Sequence, residues 1–474
     1  MYPENIKKYL IYASFISCVL MFFACSKNEG NEPYVPVDEI TSSETILIPD
    51  KDTKAVSVVL IFKNLSEIDY LMVKKSGGDN YFVRIEQADL SSPYVFKYTV
   101  QKSDPESFKL LLRAYYNDGN MSNELSLSID NRRGFFIRNM TRVARITGTA
   151  MSGETFASPN NTAVKWNVGG TDLGIIWEME PGKYGIFFGD TFGRDFKPNP
   201  GNPGPNGGSW RSNVLAFSDD HNLEDGLSFS SMAADSRGDA REIIPGGKDG
   251  SGNGDWTSIP SAAIRANGFD YVHYFNIRNW TGWITNYSGM YKSADNGATW
   301  TKCLNVSFSS SSNFGQAGYF KKDGYVYMIG TRPGRDSSAR LARFREQDIE
   351  IRENYEYWDN STGQWIKGDE NKATDIISDQ VGELSFIYNQ THQKWIIAYF
   401  NAARYNITMR TAGQITGPWS EPYELAAGKD YAQLYGSFFH PISVTGDNLY
   451  FTMSMWMPYN VFLMKAELAD MGNY

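Results

Sequence analysis

The residues Ser293-Ala-Asp-Asn-Gly-Ala-Thr-Trp300 combine the residue types of a tight hairpin turn. An aspartate such as Asp295 can accept hydrogen bonds from the amides of a tight turn, and Gly297 can adopt the positive φ that the turn requires. Trp300 is expected to pack beneath the turn. The stretch therefore predicts a β-hairpin with a fixed turn, set in a sheet-rich protein.

The spacing Ser-x-Asp-x-Gly-x-Thr-Trp resembles the Asp-box hairpin of sialidases and other β-propellers, although the arginine cluster that sialidase chemistry needs is missing. Similar hairpins recur along residues 143–470. Each consists of an inner strand, a turn and a second apolar strand. The inner strands are expected to begin near Gly170, Ser258, Phe314, Gly382 and Gly436. A radial repeat of about five such units predicts a five-bladed β-propeller.

A smaller β-rich unit is predicted before the propeller, over residues 43–138. Runs such as 56–62 and 94–100 alternate in the manner of strands, and turn signals near Ser76 and Asn117 separate them. About six or seven short strands of this kind predict an immunoglobulin-like β-sandwich, similar also to fibronectin type III modules. The expected fold class is therefore all-β, and the sandwich is expected to be a spacer or accessory module.

The first residues have the features of an export signal over residues 1–24. Lys7 and Lys8 precede an apolar run that ends at Ala24, directly before Cys25. A small residue before cysteine resembles the lipobox of bacterial lipoproteins of the Bacteroidetes type, in which that cysteine is acylated. Residues 25–42 are polar and predict a flexible tether. We expect an exported lipoprotein at the outer membrane, exposed at the cell surface; the alternative is an ordinary secretory signal with a chance cysteine.

Composition limits the partners. The chain of 474 residues has a net charge of −9 and an aromatic content of 15%, without a Lys/Arg cluster, which disfavours nucleic acid and suits neutral ligands such as sugars. Apart from the predicted lipidation site Cys25, Cys303 is the only cysteine after the leader, so no intramolecular disulfide is expected in the mature chain. The four histidines show no metal-binding spacing. We expect a monomer with no cofactor and no metal site.

Two aspartates are the best candidates for catalysis. Asp172 and Asp190 are 18 residues apart (190 − 172), on consecutive predicted strands joined by a turn at Pro181. A hairpin of this length brings the start of one strand beside the end of the next, so both acids are expected at the same end of the first blade. Glycoside hydrolysis needs such a pair of carboxyl groups. The alternative is that one of them only caps a turn.

Two further polar residues lie at predicted inner strands. Glu383 opens the fourth inner strand and is a candidate third acid of the pocket, with tying down the blade backbone as the alternative. His440 follows the start of the fifth inner strand and is a candidate for binding a sugar hydroxyl, with a satisfied structural histidine as the alternative.

Aromatic and polar residues beside long loops are candidates for lining a cleft. Trp210, Arg211 and Asn213 follow the Gly- and Pro-rich loop 199–209, where Trp210 could provide a stacking face. Trp456 and Tyr459, near the C-terminus, are expected to close the propeller rather than to contact a sugar.

Six segments carry a resemblance to a known family, in matching order over about residues 145–470. They begin at Gly170, Phe188, Trp210, Gly382, Gly417 and Trp456, and the fifth reads Gly-Pro-Trp-Ser-Glu-Pro. This set resembles the family named domain of unknown function 4185, which includes glycoside hydrolase family 183, the endo-D-arabinanases.

The resemblance implies a five-bladed propeller that cuts internal α-D-arabinofuranosyl linkages in the D-arabinan of mycobacterial arabinogalactan and lipoarabinomannan. It also implies that the essential acids are Asp172 and Asp190. Which of them is the acid, and whether configuration is retained or inverted, stays open at this point. The alternatives are a glycosidase of the same fold acting on another polysaccharide, and a non-catalytic surface glycan-binding lipoprotein.

Overall fold

The computed structural model describes residues 40–470, apart from short gaps at 51–52, 63, 78–81, 92–93, 100, 102–103, 105–106, 131–134, 200 and 202–203. The predicted export signal, with Cys25, and most of the predicted tether lie outside the described residues. The last three residues of that tether already belong to the first strand. None of the helices in the described ranges has the length and apolar composition needed to cross a membrane.

The strands fall into two groups along the chain. Seven strands precede the propeller: β1 (Ile40–Asp50), β2 (Thr53–Phe62), β3 (Ile68–Lys75), β4 (Val83–Glu86), β5 (Tyr94–Thr99), β6 (Ser107–Tyr116) and β7 (Leu125–Asp130). The propeller opens with β8 (Phe135–Arg145), and blade one consists of β9 (Leu173–Glu180), β10 (Lys183–Phe188), β11 (Val214–Ser218) and β12 (Ser231–Met232). Blade two consists of β13 (Thr257–Ala266), β14 (Phe269–Asn279), β15 (Ile284–Ser293) and β16 (Thr301–Ser309).

Blades three to five complete the ring. Blade three consists of β17 (Gln316–Lys322), β18 (Tyr325–Thr331), β19 (Ala339–Arg345), β20 (Glu356–Asp359), β21 (Gln364–Lys367) and β22 (Asp375–Ile377). Blade four consists of β23 (Leu384–Asn389), β24 (Lys394–Asn401), β25 (Asn406–Ala412) and β26 (Tyr423–Ala427). Blade five consists of β27 (Leu434–Phe439), β28 (Asn448–Met455) and β29 (Asn460–Asp470), with β8 at its outer edge.

The first strand of each blade lies innermost, and these strands form a closed ring. Strand β9 contacts β13, β13 contacts β17, β17 contacts β23, β23 contacts β27, and β27 returns to β9. Antiparallel sheets arranged in this way form a five-bladed β-propeller, as the sequence predicted. Each predicted inner strand is present at its expected place, because a buried apolar strand between turn signals is a local feature of the sequence.

The ring is closed by a strand that the sequence analysis did not assign to the propeller. Strand β8 pairs antiparallel with β29 from Phe462↔Arg145 to Asp470↔Phe135, so the N-terminal strand of the propeller completes its last blade. The predicted boundaries at 138 and 143 fall inside this strand. The alternation in β8 resembles that of the preceding strands, and its partner lies at the far end of the chain, which a local pattern cannot reveal.

The turn between β15 and β16 has the structure expected from its sequence. Asp295 Oδ1 accepts a hydrogen bond from the Thr299 amide (2.8 Å), and Gly297 has φ 82°. A Cβ at Gly297 would lie 2.8 Å from the Phe217 ring, so this position needs glycine for space as well as for conformation. Trp300 packs on blade one, with its ring centre 5.2 Å from that of Phe187. The motif thus fixes blade two against blade one.

The strands before the propeller form two antiparallel sheets, one in the order β1-β2-β5 and one in the order β4-β3-β6-β7. Leu60 and Phe96 of the first sheet share one buried core with Leu71 and Leu110 of the second. Strand β1 also pairs with β26, which joins the first sheet to blade four. The immunoglobulin-like character of this unit stays a prediction.

Helices contribute little to the described residues. The single α-helix, α1 (Thr162–Lys165), is one turn long. Short 3-10 helices occur at Leu65–Glu67, Gln87–Asp89, Glu346–Asp348, Arg352–Asn354, Glu370–Lys372 and Pro441–Val444. The protein is therefore all-β, and its functional residues are positioned by strand ends and by the loops that connect them.

Candidate active site

Asp172 and Asp190 lie at the same end of blade one. Strands β9 and β10 form an antiparallel hairpin, with Asp172 directly before β9 and Asp190 two residues after β10. The pairing continues past the strand ends, because the Gly189 amide donates to the Asp172 carbonyl (3.1 Å) and the hydroxyls of Thr171 and Thr191 are hydrogen-bonded (2.7 Å). The structure thus brings the two predicted acids together.

The close approach of the two strands depends on Gly189. A Cβ at this position would lie 2.3 Å from Asp172 Oδ1, well inside van der Waals contact. Glycine is therefore required here for space, although its φ is ordinary. Because Gly189 has no side chain, the backbone directly before Asp190 can pass beside the Asp172 carboxyl group.

The Asp172 carboxyl group has a raised proton affinity. Burial raises its pKa to about 8, with a further contribution from the charge of Asp190, while the hydrogen bond from Tyr435 and the nearby Tyr459 hydroxyl oppose the rise. The Tyr435 hydroxyl donates to Oδ2 (3.0 Å), whereas Oδ1 is buried and has no partner among the described residues. Asp172 therefore carries its proton at neutral pH.

Asp190 holds its charge more readily. Its side chain is buried, which raises the pKa to about 6, but hydrogen bonds from Thr257 and Trp210 stabilise the carboxylate. Thr257 Oγ1 and Trp210 Nε1 both donate to Oδ1 at 2.7 Å, and Oδ2 makes no hydrogen bond with any described residue. Asp190 is therefore mostly ionised at neutral pH and has one oxygen free to react.

Lys248 is the cation of this part of the site. Its Nζ lies 4.3 Å from the centre of the Trp210 ring and forms an ion pair with Glu242 (2.7 Å). It also donates a hydrogen bond to Ser212 Oγ. Its positive charge lowers the pKa of Asp190, after the two hydrogen bonds, while Glu242 raises it. Lys248 comes from the long loop between β12 and β13.

Glu383 lies beside Asp172 but is ion-paired. Arg335 Nη2 approaches Glu383 Oε1 at 2.6 Å, and Arg335 Nε lies 3.1 Å from the same oxygen. The guanidinium group lies 5.1 Å from the ring centre of Tyr435 and 5.1 Å from that of Trp283. The Glu383 charge raises the pKa of Asp172 further. Glu383 is thus a third acid of this site, held by Arg335 rather than by the blade backbone.

An aromatic cluster borders the two aspartates. The Trp210 ring stacks parallel to Phe192 with centres 6.4 Å apart, and Trp456 meets Tyr459 edge-on at 5.7 Å. These rings pack together with Phe196 in one cluster. Trp456 and Tyr459 therefore belong to the site, whereas the sequence analysis expected them only to close the propeller.

Two predicted binding residues form hydrogen bonds within the fold. Arg211 donates to the carbonyls of Ala240 (2.7 Å) and Asn167 (2.6 Å). The Asn213 side chain is fully buried and bonds only backbone groups, including the Ile244 carbonyl (2.8 Å). Both residues hold loops that lack strand partners, and of their side-chain polar atoms only Arg211 Nε has no partner among the described residues.

His440 lies away from the acids. It follows the C-terminal end of β27, whereas Tyr435, near the beginning of that strand, contacts Asp172. The ring is fully buried, 4.4 Å from the Tyr184 ring, and its Nδ1 accepts from the Ile442 amide (3.2 Å). Burial lowers its pKa to about 3. His440 is therefore a buried residue whose Nε2 has no hydrogen-bond partner among the described residues, and its binding of a sugar hydroxyl stays a prediction.

Arg335 and Tyr435 were missed by the sequence analysis. Tyr435 directly precedes Gly436, which marked the fifth inner strand in the sequence. The position of Tyr435 near the propeller axis could therefore have been predicted. Arg335 lies in the loop after β18, and no motif there indicated a function. No group of three or more His, Cys, Asp or Glu side chains suited to a metal ion occurs within the described part of the chain.

The fold and the site define a five-bladed β-propeller with a pair of buried carboxyl groups of unequal proton affinity at one end of its first blade. The family called DUF4185, a domain of unknown function, matches residues 157–465, and the chain belongs to this family.

Two curated relatives of the chain come from fungi. The chain is 30% identical over 312 residues to Notoamide biosynthesis cluster protein J from Aspergillus sp. (strain MF297-2), covering 62% of this chain and 81% of that protein. It is 31% identical over 308 residues to Notoamide biosynthesis cluster protein J' from Aspergillus versicolor, covering 62% of this chain and 82% of that protein. Among solved structures, an exo-β-1,3-galactanase from Phanerochaete chrysosporium has a TM-score of 0.41 at 11% identity, covering 69% of this chain and 64% of that one.

Proposed function

We propose that the protein is a glycoside hydrolase of the family 183 type, which cleaves internal α-D-arabinofuranosyl linkages of D-arabinan. The observation that carries the proposal is the pair formed by Asp172 and Asp190, whose pKa values are raised to about 8 and about 6. Two neighbouring carboxyl groups, one protonated and one ionised at the same pH, are what glycoside hydrolysis requires.

The unequal proton affinities divide the roles. Asp172 is the general acid: it gives its proton to the glycosidic oxygen as the bond to the anomeric carbon breaks. Asp190 is the carboxylate partner, acting as base on water or as nucleophile at the anomeric carbon through its free oxygen. In either case one proton leaves Asp172 and one water molecule is consumed per bond cleaved.

The surroundings of the pair suit an uncharged sugar polymer. Trp210 and Trp456 offer aromatic surface beside the acids, and the nearby cations Lys248 and Arg335 are both paired with carboxylates. Aromatic rings next to a few fixed polar groups are typical of sites for neutral ligands. The proposed partner is therefore a polysaccharide of the D-arabinan type, and not nucleic acid.

The proposed setting is the cell surface. We propose that residues 1–24 direct export and that Cys25 carries a lipid anchor in the outer membrane, with residues 25–42 as the tether. The unit before the propeller is proposed to be an immunoglobulin-like spacer. A monomeric enzyme held in this way would degrade a polymer outside the cell.

The activity is tested by incubating the mature protein with mycobacterial arabinogalactan and separating the products by size. A ladder of oligosaccharides is expected for internal cleavage. Asp172→Asn and Asp190→Asn should each lower the rate by at least roughly a hundredfold, since general acid–base catalysis contributes about 10²–10⁴-fold. Asp220→Asn, on the outer loop of blade one, is the control and should keep the ladder. Near wild-type rates in either site variant would rule out this pair.

A second candidate rests on the two fungal relatives, which are named for a notoamide biosynthesis cluster. It assigns the same acid pair to proton transfer on a small molecule. A panel of other polysaccharides distinguishes the two hypotheses. Products from another polymer would show that the protein is a glycosidase with a different substrate. A folded protein that cleaves none of them favours the small-molecule reaction or a glycan-binding role.

A further inference from the structure

A cavity of about 460 Å³ lies between the outer strands of blades three and four, apart from the aspartate pair. Blade three contributes Trp358, Asn360 and Ser378, and blade four contributes Thr416 and Trp419; Ile376, Ile377, Arg410, Gly417 and Pro418 complete the lining. None of these residues contacts Asp172 or Asp190. A volume of this size is typical of sites for small ligands, which occupy about 300–1,000 Å³.

The only cation in the lining is already used by the protein. Arg410 Nη2 pairs with Asp379 Oδ2 (2.9 Å), Nη1 donates to the Ser420 carbonyl (2.6 Å), and Nε donates to the Tyr399 hydroxyl (3.0 Å). Arg404 approaches the same carboxylate at 3.3 Å. Since each nitrogen of Arg410 has a fixed acceptor, the cavity offers no unpaired charge for an anionic ligand.

Other lining groups are free to bind. The side-chain hydroxyls of Ser378 and Thr416 make no hydrogen bond within the part of the chain that the structure describes. Ser378 is exposed, and Trp358 and Thr416 are partly exposed. Trp358 is supported from outside the cavity by Trp365, with ring centres 5.2 Å apart. The cavity thus combines indole rings with hydroxyl and amide groups.

We propose that this cavity is a second, non-catalytic binding site for a neutral saccharide. Sugars present apolar C–H faces that pack on aromatic rings, and hydroxyls that pair with groups such as those of Ser378 and Thr416. Gly417, Pro418 and Trp419 form part of the blade-four wall, and they belong to one of the six segments that resemble the family. The site would hold a polymer on the enzyme while another part of it reaches the acids.

The test separates this site from catalysis. The double variant Asp172→Asn/Asp190→Asn is run in native gels containing mycobacterial arabinogalactan, and its retardation gives a dissociation constant. Adding Trp358→Ala should weaken binding roughly 3- to 10-fold, the loss expected for one aromatic contact of about 0.5–1.5 kcal/mol. Ser378→Phe, which fills the cavity from an exposed position, should have a similar effect. Tyr325→Ala removes a partly buried ring at the β17–β18 turn of the same blade and is the control.

The outcomes are distinct. Weaker binding in both cavity variants, with unchanged binding in the control and unchanged thermal unfolding, supports the site. Equal retardation in all proteins, no retardation of the double variant, or equal losses in cavity and control variants overturns it. Cleavage by the unsubstituted chain is measured separately. If the protein cleaves arabinogalactan but the cavity variants bind normally, the proposed activity stands and the second site is wrong. If the cavity variants weaken binding but the protein does not cleave, the second site stands and the proposed activity is wrong.

Discussion

The hydroxyl of Tyr435 donates a hydrogen bond of 3.0 Å to Oδ2 of Asp172, and this contact crosses the junction between the last blade and the first. The two residues are 263 positions apart in the sequence. The proton affinity of the proposed general acid is therefore set by the closed ring as a whole, and not by the hairpin that carries Asp172.

Tyr435→Phe should move the alkaline limb of the pH–rate profile upward. The Tyr435 hydrogen bond stabilises the charged form of Asp172 and so lowers its pKa; without it the pKa rises above about 8. Because the general acid must be protonated, activity should persist to higher pH, by roughly one unit for a hydrogen bond of about 1.4 kcal/mol.

The measurement is kcat/KM on arabinogalactan across the alkaline range. Tyr450→Phe is the matched control, because Tyr450 lies on the same blade as Tyr435 but its hydroxyl donates to Glu224, in the blade-one loop between β11 and β12. Its profile should match that of the wild type. A downward shift of the alkaline limb in Tyr435→Phe would contradict the assignment of Asp172 as the acid.

Lys248→Met should move the acidic limb upward. Lys248 lowers the pKa of Asp190 through its charge, so its removal raises that pKa above about 6 and leaves less carboxylate at pH 6. The expected loss of kcat/KM is several-fold at pH 6 and smaller at pH 8. Lys248→Arg keeps the charge and should restore the profile. An equal loss at both pH values in Lys248→Met would point to a damaged loop instead of a changed titration.

The sequence was sufficient for the local part of this site. The approach of Asp172 and Asp190 follows from one hairpin, and antiparallel pairing makes the position of its ends calculable from the spacing alone. Gly297 and Asp295 were equally predictable, because their turn chemistry is contained within a few residues.

The rest depends on contacts between blades. Tyr435 and Arg335 reach Asp172 and Glu383 only after the ring has formed, and no spacing in the chain encodes their distance. Arg211 and Asn213 are polar residues near a strand end, and for this reason they were predicted to bind a ligand. In the structure their side chains instead form hydrogen bonds with the backbone of irregular loops. His440 was predicted to lie at the site because its strand, β27, was expected to reach the site. Tyr435, near the beginning of β27, contacts Asp172, whereas His440 follows the end of that strand.

Glu383→Gln should change both stability and titration. It leaves the partly buried Arg335 without its counter-charge, which should destabilise the fold by about 1–3 kcal/mol in denaturant unfolding. The negative charge that raises the pKa of Asp172 is also lost, so the alkaline limb should move down. Glu356→Gln, which breaks a part-buried pair with Arg343 on blade three, is the control and should leave the pH profile unchanged. An unmoved alkaline limb in Glu383→Gln would show that Glu383 does not act on Asp172.

Asp172→Asn should make the folded protein more stable at pH 7 while abolishing activity. The folded-state pKa of Asp172 is raised to about 8 from 3.8, so the unfolded chain releases this proton near pH 4 and the folded chain holds it to about pH 8. The contribution of the neutral Asp172 carboxyl group to the free energy of unfolding is fully present below pH 4 and is lost progressively as the pH rises toward 8. An asparagine does not titrate and avoids this loss. The variant should therefore exceed the wild type at pH 7 by at least about 1.4 kcal/mol, the value of one pKa unit. Unfolding by denaturant at pH 4 and pH 7 tests this: the difference should vanish at pH 4, and equal differences at both values would show that the carboxyl group is not buried at a cost to the fold.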